Sequence, residues 1–194
     1  MMERKEAVFH DEVCLAQNSL DQLTRNLQLA ISPRLIFPSA SVGGPVAWLV
    51  DRLLELKEAV VFIQYKGLAS IVANYAREVG STQEFFSLEG GMKSEVCDAT
   101  IAEWKRVSGV IFCTISYAQS FALDIVDNAF FLGFDWDPNN NIQAEGRLRR
   151  MDSKFEVPCL CTYIVPLNSD YDKVKEVING KVTNVRAVLS GYGL

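Results

Sequence analysis

Through the middle of the chain, short apolar runs alternate with longer stretches of helical period. Ala59–Tyr65 (AVVFIQY), Glu84–Leu88 (EFFSL), Val110–Ile115 (VIFCTI), Asn128–Phe134 (NAFFLGF) and Val157–Val165 have the length and residue types of strands. Between them, Leu68–Val79 and Ser94–Val107 repeat apolar residues every three or four positions, with Ser94 standing where a helix cap belongs. Parallel strands need crossovers of roughly a dozen residues or more and, being covered on both faces, read as near-continuous apolar runs. The pattern predicts an α/β fold: a mostly parallel sheet with helices on both faces.

The flanks read as helical. Val13, Leu20, Leu23, Leu27 and Ala30 fall at helical spacing, and the helix they predict over residues 11 to 30 ends near Pro33. Ser39, Ser41, Gly43, Gly44 and two prolines make Ile36–Pro45 a connector. Val46, Leu49, Val50, Leu53 and Leu54 predict a second helix. Val174, Val177, Ile178, Val182, Val185 and Leu189 predict a helical tail interrupted at Asn179-Gly180. No internal repeat and no long polar linker divides the chain. The expectation is one domain over 1–194, with a helical lead-in at 1–58, a sheet core at 59–166 and C-terminal helices at 167–194.

Composition bounds the chemistry. The 194 residues are 49% hydrophobic and 22% charged, enough apolar material for a real core. With 19 Lys+Arg against 24 Asp+Glu the formal charge is −5, so a broad basic face is excluded and any nucleic-acid contact must be local. Five cysteines form no even framework, and four ligands at usable zinc spacing are missing around the single His10, so no metal centre is expected. No run of about 18 apolar residues occurs, and the start MMERKEAVFHDEV is charged. Membrane insertion and secretion are not expected, which points to a cytoplasmic protein, or a nuclear one in a eukaryote.

Ligands of such sheets bind at the carboxyl ends of the strands. Neither G-x-x-x-x-G-K-[ST] nor G-x-G-x-x-G is present, so the chain lacks the usual backbone cradle for a polyphosphate. Gly90-Gly91 alone reads as a turn. The densest signal is Asp135–Arg150 (DWDPNNNIQAEGRLRR). Asp137 before Pro138 starts a helix, the acid as cap and the proline at the first helical position. Gln143, Arg147 and Arg150, offset by four and three, fall on one face of it. Arg149 points elsewhere, with Glu145 four residues before it as a pairing partner. An isolated R-x-x-R is ordinarily a solvated basic face. At a sheet's ligand end, however, two guanidiniums and an amide suit a triphosphate arriving from outside, because the guanidinium fork is always charged and matches phosphate oxygens.

With these residues in view, the chain resembles the second RecA-like domain of superfamily 2 helicases, most closely the Swi/Snf-type translocases of double-stranded DNA. VVFIQY resembles motif IV, Cys113-Thr114 through Leu123 motif V, Asp127–Pro138 the D-W-[ND]-P approach, and Gln143–Arg150 motif VI, Q-x-x-x-R-x-x-R. Phe86–Trp104 resembles the segment between motifs IV and V, and the likeness covers nearly the whole chain. The resemblance implies a RecA-like sheet and a function as second motor lobe of an ATP-dependent helicase or translocase. Such a lobe shares ATP and Mg²⁺ with a first RecA-like lobe, here on another polypeptide or outside this sequence. It implies Arg147 and Arg150 as arginine fingers, Gln143 and Gly146 in the ATP cleft, and Thr114, Gln64, Tyr65 and Lys66 in a DNA groove.

The chain departs from the family at Ser116–Leu123 (SYAQSFAL), where the family has A-G-G-x-G-x-N-L, and at Lys93 and Glu95, near which the family has an arginine. Lost glycines remove close backbone approach and predict weaker coupling of groove to cleft. The alternative reading is a catalytically inactive, stand-alone module that binds or regulates a replication or repair partner. An unrelated α/β small-molecule enzyme is disfavoured, since no nucleophile–base pair appears.

Overall fold

The computed structural model describes residues 6–10, 12–120, 123, 126–148 and 159–191, with only the backbone described at 119, 120 and 182–191. Its first element is not helical. Glu6–Phe9 (β1) and Glu12–Leu15 (β2) pair antiparallel, Val8 opposite Val13, around His10 at φ +51°. The expected helix over 11–30 is therefore corrected to Ser19–Ile31 (α1). Asn18 decides its start by accepting the Asp21 N–H at 2.9 Å, so Val13 falls in a strand and stays exposed. A short 3-10 turn, Pro33–Leu35, leads to Gly44–Leu53 (α2).

The core strands form within the expected runs, each shorter than read: Ala59–Ile63 (β3), Phe85–Leu88 (β4), Val110–Thr114 (β5), Asn128–Leu132 (β6) and Leu160–Ile164 (β7), with Val157 and Pro158 of the last run outside the described residues. All neighbours pair parallel, in the order β4-β5-β3-β6-β7. Crossover helices are Gly67–Glu78 (α3), Ser94–Val107 (α4) and Pro138–Gly146 (α5). Ser94 is the first helical residue of α4 rather than its cap; Lys93 occupies the cap position with extended dihedrals and no side-chain bond.

Successive strand residues face opposite sides, and each side builds its own core. Val61, Ile63, Val110, Phe112, Phe130 and Leu132 pack with α1, α2, α3 and the C-terminal helix Asp170–Gly191 (α6). Val60, Phe62, Ile111, Cys113, Ala129 and Phe131 pack with α4, α5 and the 3-10 segment Ile115–Ser120. Helices on both faces of a parallel sheet are thus observed.

The tail is one continuous helix, not two interrupted at Asn179-Gly180. A mid-helix glycine costs about 1 kcal/mol. Docking offsets that cost: Tyr171 and Val174 are fully buried, Asn26 of α1 donates to Asp170 at 2.8 Å, and Lys181 donates to the Trp136 carbonyl at 3.0 Å. No described helix is long and apolar enough to cross a membrane.

Candidate nucleotide cleft and nucleic-acid groove

Because every core strand runs the same way, β3 and β5 deliver their C-terminal residues to one edge. Ile63 pairs with Thr114, so Gln64, Tyr65 and Lys66 leave the sheet directly beside Thr114. The four groove candidates therefore share one place, with different availability. Lys66 is exposed and donates to the Gly90 carbonyl at 2.9 Å, which leaves its charge and two further N–H donors for a ligand. Thr114 is only 8% exposed, and its Oγ1 is sealed from solvent without a hydrogen-bond partner. A buried, unsatisfied hydroxyl is uncommon and marks a place where a partner or a rearrangement is missing.

Gln64 and Tyr65 are half-buried. The Tyr171 hydroxyl donates to Gln64 Oε1 at 3.0 Å and has the Tyr65 phenol beside it. Burial pushes the Tyr65 phenol up to about 12, an effect the neighbouring Tyr171 hydroxyl partly offsets. Burial, and then the neighbouring Tyr65, raise Tyr171 as well. Gly133 makes the room for this arrangement: at φ +95° it lies where an added Cβ would stand 2.9 Å from the Tyr171 hydroxyl and 3.3 Å from Gln64 Oε1. Reading the sequence for motifs overlooked Tyr171 and Gly133. The glycine directly after an apolar strand was the available signal.

The second group of candidates rides on α5. Asp137 caps it, accepting the Asn139 N–H at 3.0 Å, and Pro138 holds the first turn. Asn141, 6% exposed, braces the approach. Its Oδ1 accepts from the Asp135 N–H at 3.0 Å, and its Nδ2 donates to the Asp135 carbonyl at 2.9 Å and the Asp137 carbonyl at 3.2 Å. Ala144 and Leu148 bury the inner side, in the same cluster as Ile115, Ala118 and Leu123. Gln143 and Gly146 are left exposed and Arg147 half-buried.

The helix is shorter than motif VI. It closes at Gly146, and Arg147 is its C-cap. Arg147 keeps right-handed helical dihedrals (φ −82°, ψ −16°), so it stays on the face of Gln143. The expected continuation of that face through a helix to Arg150 is corrected to a helix ending before Arg147; Arg149 and Arg150 themselves lie outside the described residues. Glu145 accepts from the Tyr163 hydroxyl of β7 at 2.7 Å, and its expected partner Arg149 lies outside the described residues. Burial, then this bond to a carboxylate, raise the Tyr163 phenol. Among the described residues no carboxylate pairs with Arg147. Its carbonyl accepts from the Leu123 N–H at 3.0 Å, joining the end of α5 to the segment that follows β5.

Two clusters result: a polar edge at the ends of β3 and β5, and α5 with a guanidinium at its end that has no ion pair among the described residues. The 3-10 segment Ile115–Ser120 packs against both β3 and α5. No described cluster of three His, Cys, Asp or Glu side chains could hold a metal ion.

Comparison with known proteins gives the same answer as the topology. The chain is similar in fold to the crystal structure of the C-terminal part of the Fun30 ATPase domain, with a TM-score of 0.62 at 14% identity over 70% of this chain. It spans 45% of the length of that chain. The sequence pattern of the helicase conserved C-terminal domain matches residues 46–152, more than half of the 194 residues and inclusive of β3 through α5. The chain accordingly belongs to the helicase conserved C-terminal domain family, and its mostly parallel sheet with helices on both faces is a RecA-like α/β fold.

Proposed function

We propose that the chain is the second motor lobe of an ATP-dependent DNA translocase of the Swi/Snf type, completed by a first RecA-like lobe on another polypeptide or in a longer protein. The observation that carries this is Arg147: a half-buried guanidinium without a described ion pair, on the face of Gln143, in a chain with no phosphate loop of its own. A partly buried arginine left unpaired is costly unless a ligand supplies the anion.

ATP with Mg²⁺, bound against the other lobe, supplies the phosphoryl group whose transfer drives translocation. This lobe's residues contribute charge and position. Arg147, together with Arg150 beyond it in the sequence, stabilises the charge that builds on the transferring group, a contribution of roughly 10³–10⁵ in rate. Gln143 and the exposed Gly146 complete the wall of the cleft. Lys66 and Gln64 hold backbone phosphates of the duplex, and the unsatisfied Thr114 hydroxyl becomes available when the 3-10 segment beside it shifts. So few phosphate contacts agree with the charge of −5. Phosphate contacts fix position without reading sequence, as a motor requires. A protein of this kind works in the cytoplasm, or in the nucleus of a eukaryote.

The sealed Thr114 also gives substance to a second reading, in which the lobe no longer couples DNA to ATP and serves as a regulatory module for a replication or repair partner. Reconstitution separates the two. The chain alone should hydrolyse ATP at background rate, and adding a first lobe that carries G-x-x-x-x-G-K-[ST] should produce hydrolysis stimulated by duplex DNA. Hydrolysis by the chain alone refutes the division of labour; a reconstituted pair indifferent to DNA favours the regulatory reading.

A further inference from the structure

The C-terminal helix reaches into the groove and fixes one of its donors. A glutamine side chain has a carbonyl oxygen that accepts and an amide nitrogen that donates, and rotation by half a turn exchanges them. A phosphate oxygen can use only the donor. At Gln64 the choice is made by Tyr171: its single hydroxyl proton goes to Oε1 at 3.0 Å, so the two N–H donors on Nε2 are turned away from α6. No described group accepts from Nε2, and Nε2 is not among the side-chain atoms sealed from solvent without a partner. The same tyrosine is held in place. It is fully buried, and its hydroxyl occupies the space that Gly133 leaves by having no side chain. Ser169 Oγ accepts the Tyr171 N–H at 3.2 Å, so the start of α6 is fixed as well.

We infer that Tyr171 is a positioning residue of the nucleic-acid groove: by occupying the Gln64 carbonyl oxygen it presents the Gln64 amide N–H groups to a phosphate oxygen of the bound duplex. The inference rests on the groove assigned above and adds a residue from outside the helicase motifs. It makes the contact at Gln64 neutral, in contrast to Lys66 two residues on, and it makes α6 part of the binding surface through Tyr171.

The test is a double-mutant cycle on the full chain, read by fluorescence anisotropy with a labelled duplex of about 20 base pairs over a range of salt concentration. Gln64→Ala should weaken binding by about three- to tenfold and leave the slope of log K against log salt unchanged, because a neutral donor releases no counterion. Lys66→Ala should flatten the slope by about 0.9. Tyr171→Phe keeps the ring and its packing and should weaken binding nearly as much as Gln64→Ala, again without changing the slope. Added to Gln64→Ala, it should have no further effect. A loosened α6 would lower affinity equally with and without Gln64→Ala, and that result overturns the inference. Weakening by Gln64→Ala with no change from Tyr171→Phe overturns it while leaving the groove intact. Absence of binding by the unaltered chain, with Lys66→Ala no different, overturns the groove and the inference together.

Discussion

The main-chain nitrogen of Leu123 donates to the carbonyl oxygen of Arg147 at 3.0 Å, so the segment that follows β5 is fastened to the end of the helix bearing the candidate finger. The backbone of Arg147 is therefore structural, while its guanidinium serves no described partner within the lobe. Arg147→Ala should leave stability within about 0.5 kcal/mol of the parent. Urea unfolding measures this, and a loss above about 2 kcal/mol would mean that the side chain is part of the fold.

Asn141 carries the opposite load. Its amide satisfies one N–H and two carbonyls of the Asp135–Asp137 turn while 6% exposed. Asn141→Ala should cost about 2–4 kcal/mol, since each buried bond contributes about 1 kcal/mol and the orphaned groups add a desolvation penalty. Chemical denaturation checks it. Asn141→Asp should recover only the acceptor bond to the Asp135 N–H.

Gly133 cannot accept a side chain without disturbing Tyr171. Alanine there meets both φ +95° and a hydroxyl 2.9 Å away. Gly133→Ala should destabilise the lobe by about 1–3 kcal/mol. Combining it with Tyr171→Phe, which removes the hydroxyl, should recover part of that loss, measured as the midpoint of thermal unfolding.

Alkaline pH should unfold the protein early. Burial holds the Tyr65 phenol at about 12, against about 10 in an unfolded chain, and the Cys113 thiol at about 12, against about 9, with Cys97 adding to the latter. Across those intervals the folded state binds more protons than the unfolded one, so stability falls as pH rises. The contribution is complete below about pH 9 and is lost progressively towards about pH 12. Thermal unfolding midpoints should drop between about pH 9 and about pH 11, and the double variant Tyr65→Phe with Cys113→Ser should show a shallower decline. An unchanged slope in that variant would mean that other groups govern the loss.

The central strands β3, β5 and β6 were legible because they are near-continuous apolar runs covered on both faces, the pattern of a buried parallel sheet. Asp137-Pro138 marked the start of α5 for an equally local reason: a carboxylate cap and a pre-set φ. What escaped was decided at a distance. Val13 has helical spacing with Leu20 and Leu23, yet the cap at Asn18 starts the helix later and leaves Val13 in a hairpin. Gly180 reads as a break, but burial of Tyr171 and Val174 against the sheet carries α6 through it. The role of Tyr171 was invisible for the same reason, since its partner lies 107 positions away in the chain.

The contribution proposed for this lobe in ATP hydrolysis is tested most directly by combining the chain with a first lobe and measuring DNA-stimulated ATP turnover for the parent and for Arg147→Ala. Turnover should fall by roughly 10³ or more, with duplex affinity and lobe stability unchanged. Turnover equal to the parent's would contradict a role for Arg147 in hydrolysis.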